Sequence, residues 1–433
     1  MPQSLTQTLD ALIADATANA RVLPVVARIR AVFGHDPAAL NALAYALNRY
    51  HVFDTAADVA LQGIALDRDS AALHHNASYA FNMLGDFANM YRHSVEAAAL
   101  LPHDANLQFN LAAALLRVGE FERGWAHYRW HERLAANHDL VRPDSPEWHG
   151  EAVAGCRFLL IGEQGLGDQL QFLRIADWLH RRGAIVDVWV DAALGDIARR
   201  ASGVHAAWTG LPPGRYDFWC RMLRAPEHLP LTLDALPIAM PYLSAPSDAV
   251  ERWRARLDAA SASQSLSQSR DGGVRKKRVG IVWGGNPDYE LDRYRSIALT
   301  RLIPILSNPD VTWFSLQKGQ PARDVDALPA DIDFHPLGSE IASFTDTLAI
   351  VASLDLVITV DTSVAHLAGA TGAPVWILLP TCTDWRWMTD RTDSPWYPST
   401  RLFRARRHDD WSPVLDELRD ALRAWASMPH TVG

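Results

Sequence analysis

The stretch DTSVAHLAGATGAPVWILLP, residues 361–380, decides how the chain is expected to fold. The run LVITV at 356–360 before it is apolar and β-branched, as in a buried strand of a parallel sheet. Residues 361–363 then offer N-cap side chains for a helix, which would end at Gly372, and the next strand, PVWILL, follows at once. The stretch therefore predicts one strand–helix–strand unit.

The junction between that strand and that helix suits an anion. Backbone N–H groups and the positive end of the helix dipole face the carboxyl edge of the sheet there, where a diphosphate can bind. We therefore expect Asp361, Thr362, Ser363 and Val364 to contact a phosphorylated ligand. A purely structural cap is the alternative for this turn, and His366 in the same helix either touches the ligand or packs in the core.

Composition limits the classes of function. A chain of 433 residues with 48% hydrophobic residues predicts two or three domains with sizeable cores. A net charge of -9 offers no basic face for nucleic acid. The three cysteines lie far apart, which favours a reducing, cytoplasmic location over a disulfide framework or a zinc site. No charged, apolar leader and no membrane-spanning run is expected.

The first third of the chain repeats itself. Phe53, Phe87 and Phe121 recur every 34 residues, and the turn Gly85-Asp86 recurs as Gly119-Glu120. This period, with small residues at fixed positions, resembles the tetratricopeptide repeat of two antiparallel helices per unit. The concave face of such a stack would hold a protein or another acceptor, or the stack would only brace the following domain.

The pattern changes after a stretch broken by Pro143, Pro146 and Gly150. From there strands alternate with helices, which predicts parallel sheets covered by helices in two α/β lobes. The predicted organisation is a helical repeat domain, a first Rossmann-like lobe on the acceptor side, a helix with a flexible polar linker, and a second Rossmann-like lobe on the donor side. Their ranges are 1–149, 150–245, 246–277 and 278–433.

The loop GEQGLGD, residues 162–168, joins the first strand of lobe one to its first helix, and its glycines let backbone approach a ligand closely. Asp168 would lie in the first turn of that helix, where its carboxylate can accept a proton from a substrate hydroxyl. The alternative is that Asp168 only offsets the helix dipole. Glu163 is the spare acid, and Gln164 and Gly165 are expected beside the acceptor.

In lobe two, two further strands are followed by a loop that contains glycine. VGIVWGGNP at 279–287 runs into a charged loop with Arg295, and SLQKG at 315–319 carries the only lysine outside the linker. Arginine and lysine at the carboxyl end of parallel strands favour phosphate binding, and a solvated loop is the alternative. The donor-side residues predicted from these stretches are Trp283, Gly284, Asn286, Arg295, Gln317 and Lys318.

The loop after PVWILL, residues 384–398, is dense in tryptophan and ionic side chains. Such loops cover ligands in some proteins and anchor themselves to a core in others, and the sequence leaves both open. Asp384 and Arg386 are therefore candidates for an acceptor-side or lid role. No spaced histidine or carboxylate set predicts a metal site, and no cofactor is expected.

Taken in order, GEQGLGDQLQF, VGIVWGGNP, DRYRS, SLQKG, DTSVAHLAGATGAPVW and DWRWMTDR resemble bacterial glycosyltransferases of the heptosyltransferase-like type, in the subgroup bearing tetratricopeptide repeats. The resemblance covers roughly residues 150–425. It implies a GT-B fold behind the repeats, with Asp168 as catalytic base and the DTSVAH region as the site of the donor diphosphate and sugar.

The resulting expectation is an inverting, metal-independent transfer of a hexose or heptose from a nucleotide sugar to an acceptor hydroxyl, possible acceptors being a protein held by the repeats or a glycan. A homo-oligomer is a further possibility. Two alternatives remain at this point. One is a repeat scaffold with a degenerate transferase domain, and the other is a GT-B-fold epimerase acting on a nucleotide sugar.

Overall fold

The computed structural model describes residues 4–137, 141–236, 240–265 and 275–429, with side chains in the third range as far as residue 262. The chain divides into two compact units. The first contains the chain up to Val141 together with Thr381–Thr389 and Arg406–His408, and the second contains the rest. No described helix combines the length and the apolarity that a bilayer crossing requires.

The first unit consists of paired helices joined by short turns. Its helices are α1 (Leu5–Ala18), α2 (Val22–Phe33), α3 (Pro37–Arg49), α4 (Phe53–Leu66), α5 (Ala71–Leu84), α6 (Phe87–Leu100), α7 (Ala105–Arg117) and α8 (Phe121–Tyr128). The repeated phenylalanines each begin the second helix of a pair, as the 34-residue period predicts. Ser70, Asp86 and Asp104 cap the helices that follow them, and small alanines fill the core between neighbouring helices.

Two histidines share a hydrogen bond inside this unit. Nδ1 of His74 lies 2.9 Å from Nδ1 of His93, and both rings are buried. Nε2 of His74 lies 3.1 Å from the carbonyl oxygen of Arg68, which can only accept, so this nitrogen carries the hydrogen. His93 must then donate from Nδ1 to His74 and accept at Nε2 from the guanidinium of Arg92, 3.1 Å away. The network therefore holds His93 neutral.

This network predicts a loss of stability in acid. Burial, helped by Arg92 and His74, lowers the pKa of His93 from 6.5 to about 4. Above pH 6.5 neither state binds the proton, whereas between pH 6.5 and 4 the unfolded chain binds it and the folded chain does not. We expect this residue to remove roughly 2–3 kcal/mol from the free energy of unfolding across that window.

Denaturant unfolding at pH 7 and at pH 4.5 measures this loss. His93→Gln should show a smaller difference between the two pH values than the wild type, whereas His103→Gln, at an exposed histidine, should keep the full difference. An equal pH dependence in all three proteins would mean that His93 does not supply the acid sensitivity.

The second unit begins with a four-stranded sheet. Its strands are β1 (Arg157–Ile161), β2 (Ile185–Trp189), β3 (Val204–Trp208) and β4 (Phe218–Arg221), in the order β3-β2-β1-β4 and all parallel. The helices between them are α9 (Leu166–Phe172), α10 (Ile175–His180) and α11 (Gly195–Ala198). Helix α12 (Ser247–Ser265) then leads out of this lobe.

The second sheet of this unit has six parallel strands in the order β10-β9-β8-β5-β6-β7. The strands are β5 (Lys277–Val282), β6 (Val311–Ser315), β7 (Phe334–Pro336), β8 (Leu356–Val360), β9 (Val375–Leu379) and β10 (Thr400–Arg404). The helices are α13 (Asp292–Arg295), α14 (Leu299–Leu306), α15 (Phe344–Val351), α16 (Ser363–Thr371) and α17 (Ser412–Ala426). Central strands β5, β6, β8 and β9 are buried along their whole length, as their apolar, β-branched sequences require.

These elements confirm the predicted combination of helical pairs and parallel α/β lobes. Helix α12 continues to Ser265, so the first residues of the predicted flexible linker are helical, and residues 266–274 of that linker lie outside the described residues. The two lobes contact each other where the chain leaves the first sheet, since the N–H of Tyr242 donates to the carbonyl oxygen of Ala370 in α16 (3.1 Å).

Candidate functional site

The turn between β8 and α16 has the geometry that the sequence predicts. Thr362 occupies the N-cap position with extended backbone (φ -140°, ψ 173°), and the helix ends at Gly372 with φ 73°. The hydroxyl of Thr362 lies 3.1 Å from that of Thr359 and does not cap the helix. The first N–H groups of α16 have no acceptor within the helix, so its positive end can bind an anion.

Arg295 reaches this turn from the charged loop after β5. Its Nη1 donates to the carbonyl oxygen of Asp361 (2.8 Å), and its Nε donates to Oδ1 of Asp292 (2.9 Å). Asp292 also accepts from the hydroxyl of Ser296 (2.8 Å), which in turn accepts from the N–H of Gly285 (2.9 Å). These bonds fix the guanidinium beside the start of α16.

The start of α9 in the first lobe lies against the start of α16. A methyl group built on Gly167 would lie 2.8 Å from Cδ2 of His366 and 3.6 Å from Cα of Ser363. Asp168, the next residue, is partly exposed, and one of its carboxylate oxygens accepts from the N–H of Gly165 (2.8 Å). The structure therefore brings the predicted base and the predicted phosphate turn to one place, and Asp168 also caps its own helix.

The loop before α9 holds an unusual backbone. Gln164 is exposed and has φ 59°, in the left-handed region that non-glycine residues rarely adopt. Such a conformation is typical of loops whose geometry is set by a site. Gln164 and Gly165 thus remain candidates on the acceptor side.

His366 is buried and joins the two lobes. Its Nδ1 lies 2.9 Å from the hydroxyl of Tyr397, and its Cδ2–Nε2 edge faces Gly167. His366 therefore packs in the core, as one of the two alternatives predicts, while its contact with a ligand stays a prediction. Val364 is partly exposed in the first turn of α16.

Trp283, Gly284 and Gln317 make contacts within their own lobe. Trp283 is a core residue, only 1% exposed, whose indole N–H donates to Asp324 (3.2 Å). The amide oxygen of Gln317 accepts from the N–H groups of Trp283 and Gly284 (3.0 and 2.9 Å), and its NH2 group donates to two carbonyls. The side chain of Trp283 is thus occupied in the core and that of Gln317 in joining strand ends, and a contact of Trp283, Gly284 or Gln317 with a donor stays a prediction.

The remaining lobe residues lie as follows. Glu163 is buried, and its carboxylate accepts from the N–H of Leu223 (3.0 Å), so it fixes the end of β4 and is a poor spare base. Lys318 is exposed, and its ammonium donates to the carbonyl oxygen of Ile341. Asn286 is exposed, and its Oδ1 accepts from the N–H of Asp288 in its own loop (3.2 Å). None of these described contacts joins Glu163, Lys318 or Asn286 to the turn at 361–363.

Asp384 and Arg386 belong to the helical unit, and their acceptor-side or lid role stays a prediction. Nη1 of Arg386 donates to Asp384 (2.9 Å), and Arg117 of α7 donates to the carbonyl oxygen of Thr383 (2.6 Å). Burial works to raise the pKa of Asp384, but the guanidiniums of Arg386 and Arg117 hold it below its usual range. Trp385 and Trp387 are buried beside them, so this part of the loop is anchored to a core.

Sequence reasoning missed three residues that shape these sites: Arg117, Arg174 and Tyr397. Arg174 interrupts the apolar run LQFLRIA, and a lone charge at a buried helical position was the available signal. For Tyr397 the available signal was Gly369, one turn after His366. A methyl group at Gly369 would lie 2.5 Å from the ring of Tyr397.

Among the described residues, no group of three or more histidine, cysteine or carboxylate side chains could hold a metal ion. The expectation of a metal-independent reaction without a cofactor is not tested by this observation and stays a prediction.

No family model matches the chain. Protein FlbA of Caulobacter vibrioides is 26% identical over 402 residues, which cover 84% of this chain and 63% of FlbA. The chain thus spans less than two thirds of the length of this relative.

Three solved structures are similar to this chain. The E. coli ADP-heptose lipopolysaccharide heptosyltransferase II has a TM-score of 0.42 and 15% identity, over 63% of this chain and 100% of that one. The glycosyl transferase family 9 protein of Veillonella parvula has a TM-score of 0.42 and 10% identity, over 65% of this chain and 92% of that one. The Thermobaculum terrenum O-GlcNAc transferase mutant has a TM-score of 0.29 and 14% identity, over 98% of this chain and 94% of that one. All three TM-scores lie below 0.5, so the function of this chain has to be argued from its own site residues.

Proposed function

We propose that the chain is a GT-B-type glycosyltransferase that moves a sugar from a nucleotide sugar to an acceptor hydroxyl. One observation carries the proposal: the start of α9, which bears Asp168, lies against the start of α16, where Gly167 approaches Ser363 and His366. In this proposal Asp168 is the proton acceptor and the start of α16 binds the anion, on two helices that pack together between two parallel-sheet lobes. That is the arrangement that transfer from a diphosphate needs.

The second lobe provides for the leaving group. The N–H groups of residues 362–364 and the positive end of α16 would bind the diphosphate, and Arg295 lies beside them through its bond to Asp361. Because these donors are already in place, they need no rearrangement when charge develops. Each preorganised donor of this kind contributes about 3 kcal/mol to lowering a barrier.

The reaction that follows is a single displacement. Asp168 accepts the proton of the acceptor hydroxyl, the hydroxyl oxygen bonds to the anomeric carbon, and the bond from that carbon to the phosphate oxygen breaks. The nucleoside diphosphate leaves with the electron pair of that bond, and attack from the opposite side inverts the anomeric centre. No metal enters this scheme, since backbone N–H groups and Arg295 meet the departing charge.

The finer assignments remain part of the proposal. We infer that the paired helices are tetratricopeptide-type repeats that bind the acceptor, for which a protein is our choice. The donor sugar would be a hexose or heptose, and a reducing cytoplasm fits the three free cysteines. Lys318, exposed at the end of β6, stays a candidate for donor phosphate only if its side chain leaves Ile341.

A panel of nucleotide sugars tests the function. We expect one or more of them to raise the melting temperature of the full chain, and its sugar to appear on an acceptor detected by mass spectrometry. Failure of every member to bind would favour a scaffold with a degenerate domain. An isomerised donor formed without acceptor would instead identify an epimerase.

Gly285→Ala tests the donor side alone. A methyl group at residue 285 would lie 2.5 Å from Nη2 of Arg295 and 2.2 Å from Oδ1 of Asp292, so the arginine must leave the turn. We expect donor affinity in calorimetry to fall about tenfold, the usual effect of losing a charge-assisted hydrogen bond.

Gly210→Ala is the matched control, because no atom lies within 4 Å of a methyl group at that position. It should bind the donor like the wild type. Equal affinities in both variants would remove Arg295 from the donor site.

A further inference from the structure

A buried arginine lies next to the proposed site. Arg174, between α9 and α10, is 2% exposed. Its Nε and Nη1 donate to the carbonyl oxygens of Gln171 and Trp396 (2.8 and 2.9 Å), and its Nη2 donates to the hydroxyl of Tyr242 (3.3 Å). Burial works against its charge, yet Tyr242 and Tyr397 hold the pKa of Arg174 above its ordinary value. A permanent positive charge therefore lies among aromatic rings at the contact between the lobes.

The hydroxyl of Tyr242 donates its hydrogen to a backbone carbonyl. Tyr242 is fully buried, and its hydroxyl lies 2.9 Å from the carbonyl oxygen of Leu170, which can only accept. The phenol oxygen therefore accepts from Arg174. Tyr242 has no second hydrogen to offer to Tyr397.

Tyr397 completes the network. Its ring centre lies 4.8 Å from the guanidinium carbon of Arg174, and its hydroxyl interacts with the same guanidinium. Burial above all raises the pKa of Tyr397 well above its usual range, so the hydroxyl keeps its hydrogen. A phenol dipole beside a cation points its oxygen toward the charge and its hydrogen away. Tyr242 also interacts with this hydroxyl, but the Tyr242 oxygen already accepts from Arg174. We therefore assign Nδ1 of His366, 2.9 Å away, as the acceptor of the Tyr397 hydrogen.

This assignment implies one tautomer of His366. If Nδ1 accepts from Tyr397, the hydrogen of the neutral imidazole is on Nε2. Nε2 belongs to the edge of the ring that faces Gly167, the residue before Asp168. A hydrogen-bond donor is then presented where the base and the phosphate turn meet.

Two glycines permit the arrangement. A methyl group at Gly369 would lie 2.5 Å from the ring of Tyr397, and one at Gly167 would lie 2.8 Å from the ring of His366. Both rings can therefore approach the helices only because these positions lack a side chain.

We propose that Tyr397, oriented by Arg174, is a positioning residue that fixes His366 as the Nε2–H tautomer and holds this N–H toward the junction of α9 and α16. The proposal rests on the function proposed above for the role of that N–H, which is to meet negative charge that develops during sugar transfer. Tyr397 itself touches neither base nor substrate in this scheme and acts through His366.

The tautomer is measurable in the free protein. In protein labelled with ¹⁵N-histidine, long-range ¹H–¹⁵N spectra distinguish protonated from unprotonated ring nitrogens, and His366→Gln identifies the signals among the 17 histidines. We expect a protonated Nε2 and an unprotonated Nδ1 in the wild type, and a mixture of tautomers in Tyr397→Phe. A protonated Nδ1 in the wild type, or an unchanged spectrum in the variant, overturns the proposal.

The wild-type spectrum needs neither a variant nor a substrate. It remains decisive if Tyr397→Phe fails to fold, and a failure of the glycosyltransferase assignment would not affect it.

Kinetics tests the link to catalysis. With a donor found by the panel, Tyr397→Phe should lower kcat about tenfold and change the donor KM less than about twofold, because the lost interaction acts on the transition state. Tyr216→Phe is the matched control, since it also removes a buried phenol donor, to Asp187 (2.8 Å), and should alter neither the His366 signals nor kcat. A changed KM with kcat intact would show that Tyr397 only shapes the ground-state pocket.

Discussion

Asp168→Asn should abolish turnover and leave donor binding unchanged. An amide cannot accept the proton of the acceptor hydroxyl, and loss of a general base typically costs about 10²- to 10⁴-fold in rate. In the proposed scheme the donor binds the other lobe, at the start of α16 and Arg295, so its affinity should not respond. Single-turnover assays and calorimetry on one preparation measure the two effects.

The alternative role of Asp168 as a helix cap makes the control important. Asn can still accept from the N–H of Gly165, so the cap survives and the melting temperature should stay close to that of the wild type. Asp177→Asn removes a comparable first-turn acid from α10, where Asp177 pairs with Arg181. Turnover in Asp168→Asn equal to that of Asp177→Asn would reduce Asp168 to a structural residue.

Arg117→Met should destabilise the helical unit by about 3 kcal/mol, because it removes one partner from a buried charged network. The guanidinium of Arg117 bonds to Asn82 and to the carbonyl oxygen of Thr383, both at 2.6 Å, and lies over the ring of Phe87. Burial lowers the pKa of Arg117 to about 10, so it stays charged at neutral pH. Methionine keeps the apolar stem and leaves Asn82 and the Thr383 carbonyl without their donor.

Denaturant unfolding followed by tryptophan fluorescence is the measurement, since Trp385 and Trp387 lie in the same segment as Thr383. Arg123→Met is the control. It deletes the same charge from an exposed pair with Glu120 and should cost less than about 1 kcal/mol. A loss for Arg117→Met no larger than that of the control would mean that the segment does not depend on this arginine.

The turn between β8 and α16 was predictable because every signal for it is local. An apolar strand, cap residues and a closing glycine lie within 17 residues, 356–372, and the structure places β8, α16 and Gly372 there. The strands β4, β7 and β10 were missed because FWCR, FHP and TRLFR are short or charged and give no periodic signal.

The directions of side chains were harder to predict from the sequence than the positions of strands and helices. Trp283 and Gln317 stand at the ends of their strands as a donor contact would, but their side chains turn into the core and onto a neighbouring strand end. Asp384 lies near Arg117, which bonds to the neighbouring Thr383 and is over 260 residues earlier in the chain. Local sequence carries no information about a partner that distant, so the segment was assigned to the wrong unit.

The membership of Thr381–Thr389 in the helical unit has a practical consequence. The chain leaves β9 at Leu379, supplies two tryptophans to a core built by the first third of the sequence, and returns to its own sheet at Thr400. A polypeptide starting at Arg142 would retain those tryptophans and lose the helices that bury them. Dividing the protein into two soluble halves therefore requires redesign of the segment Thr381–Thr389. A simple cut after the helical unit would expose its tryptophans and produce an aggregation-prone half.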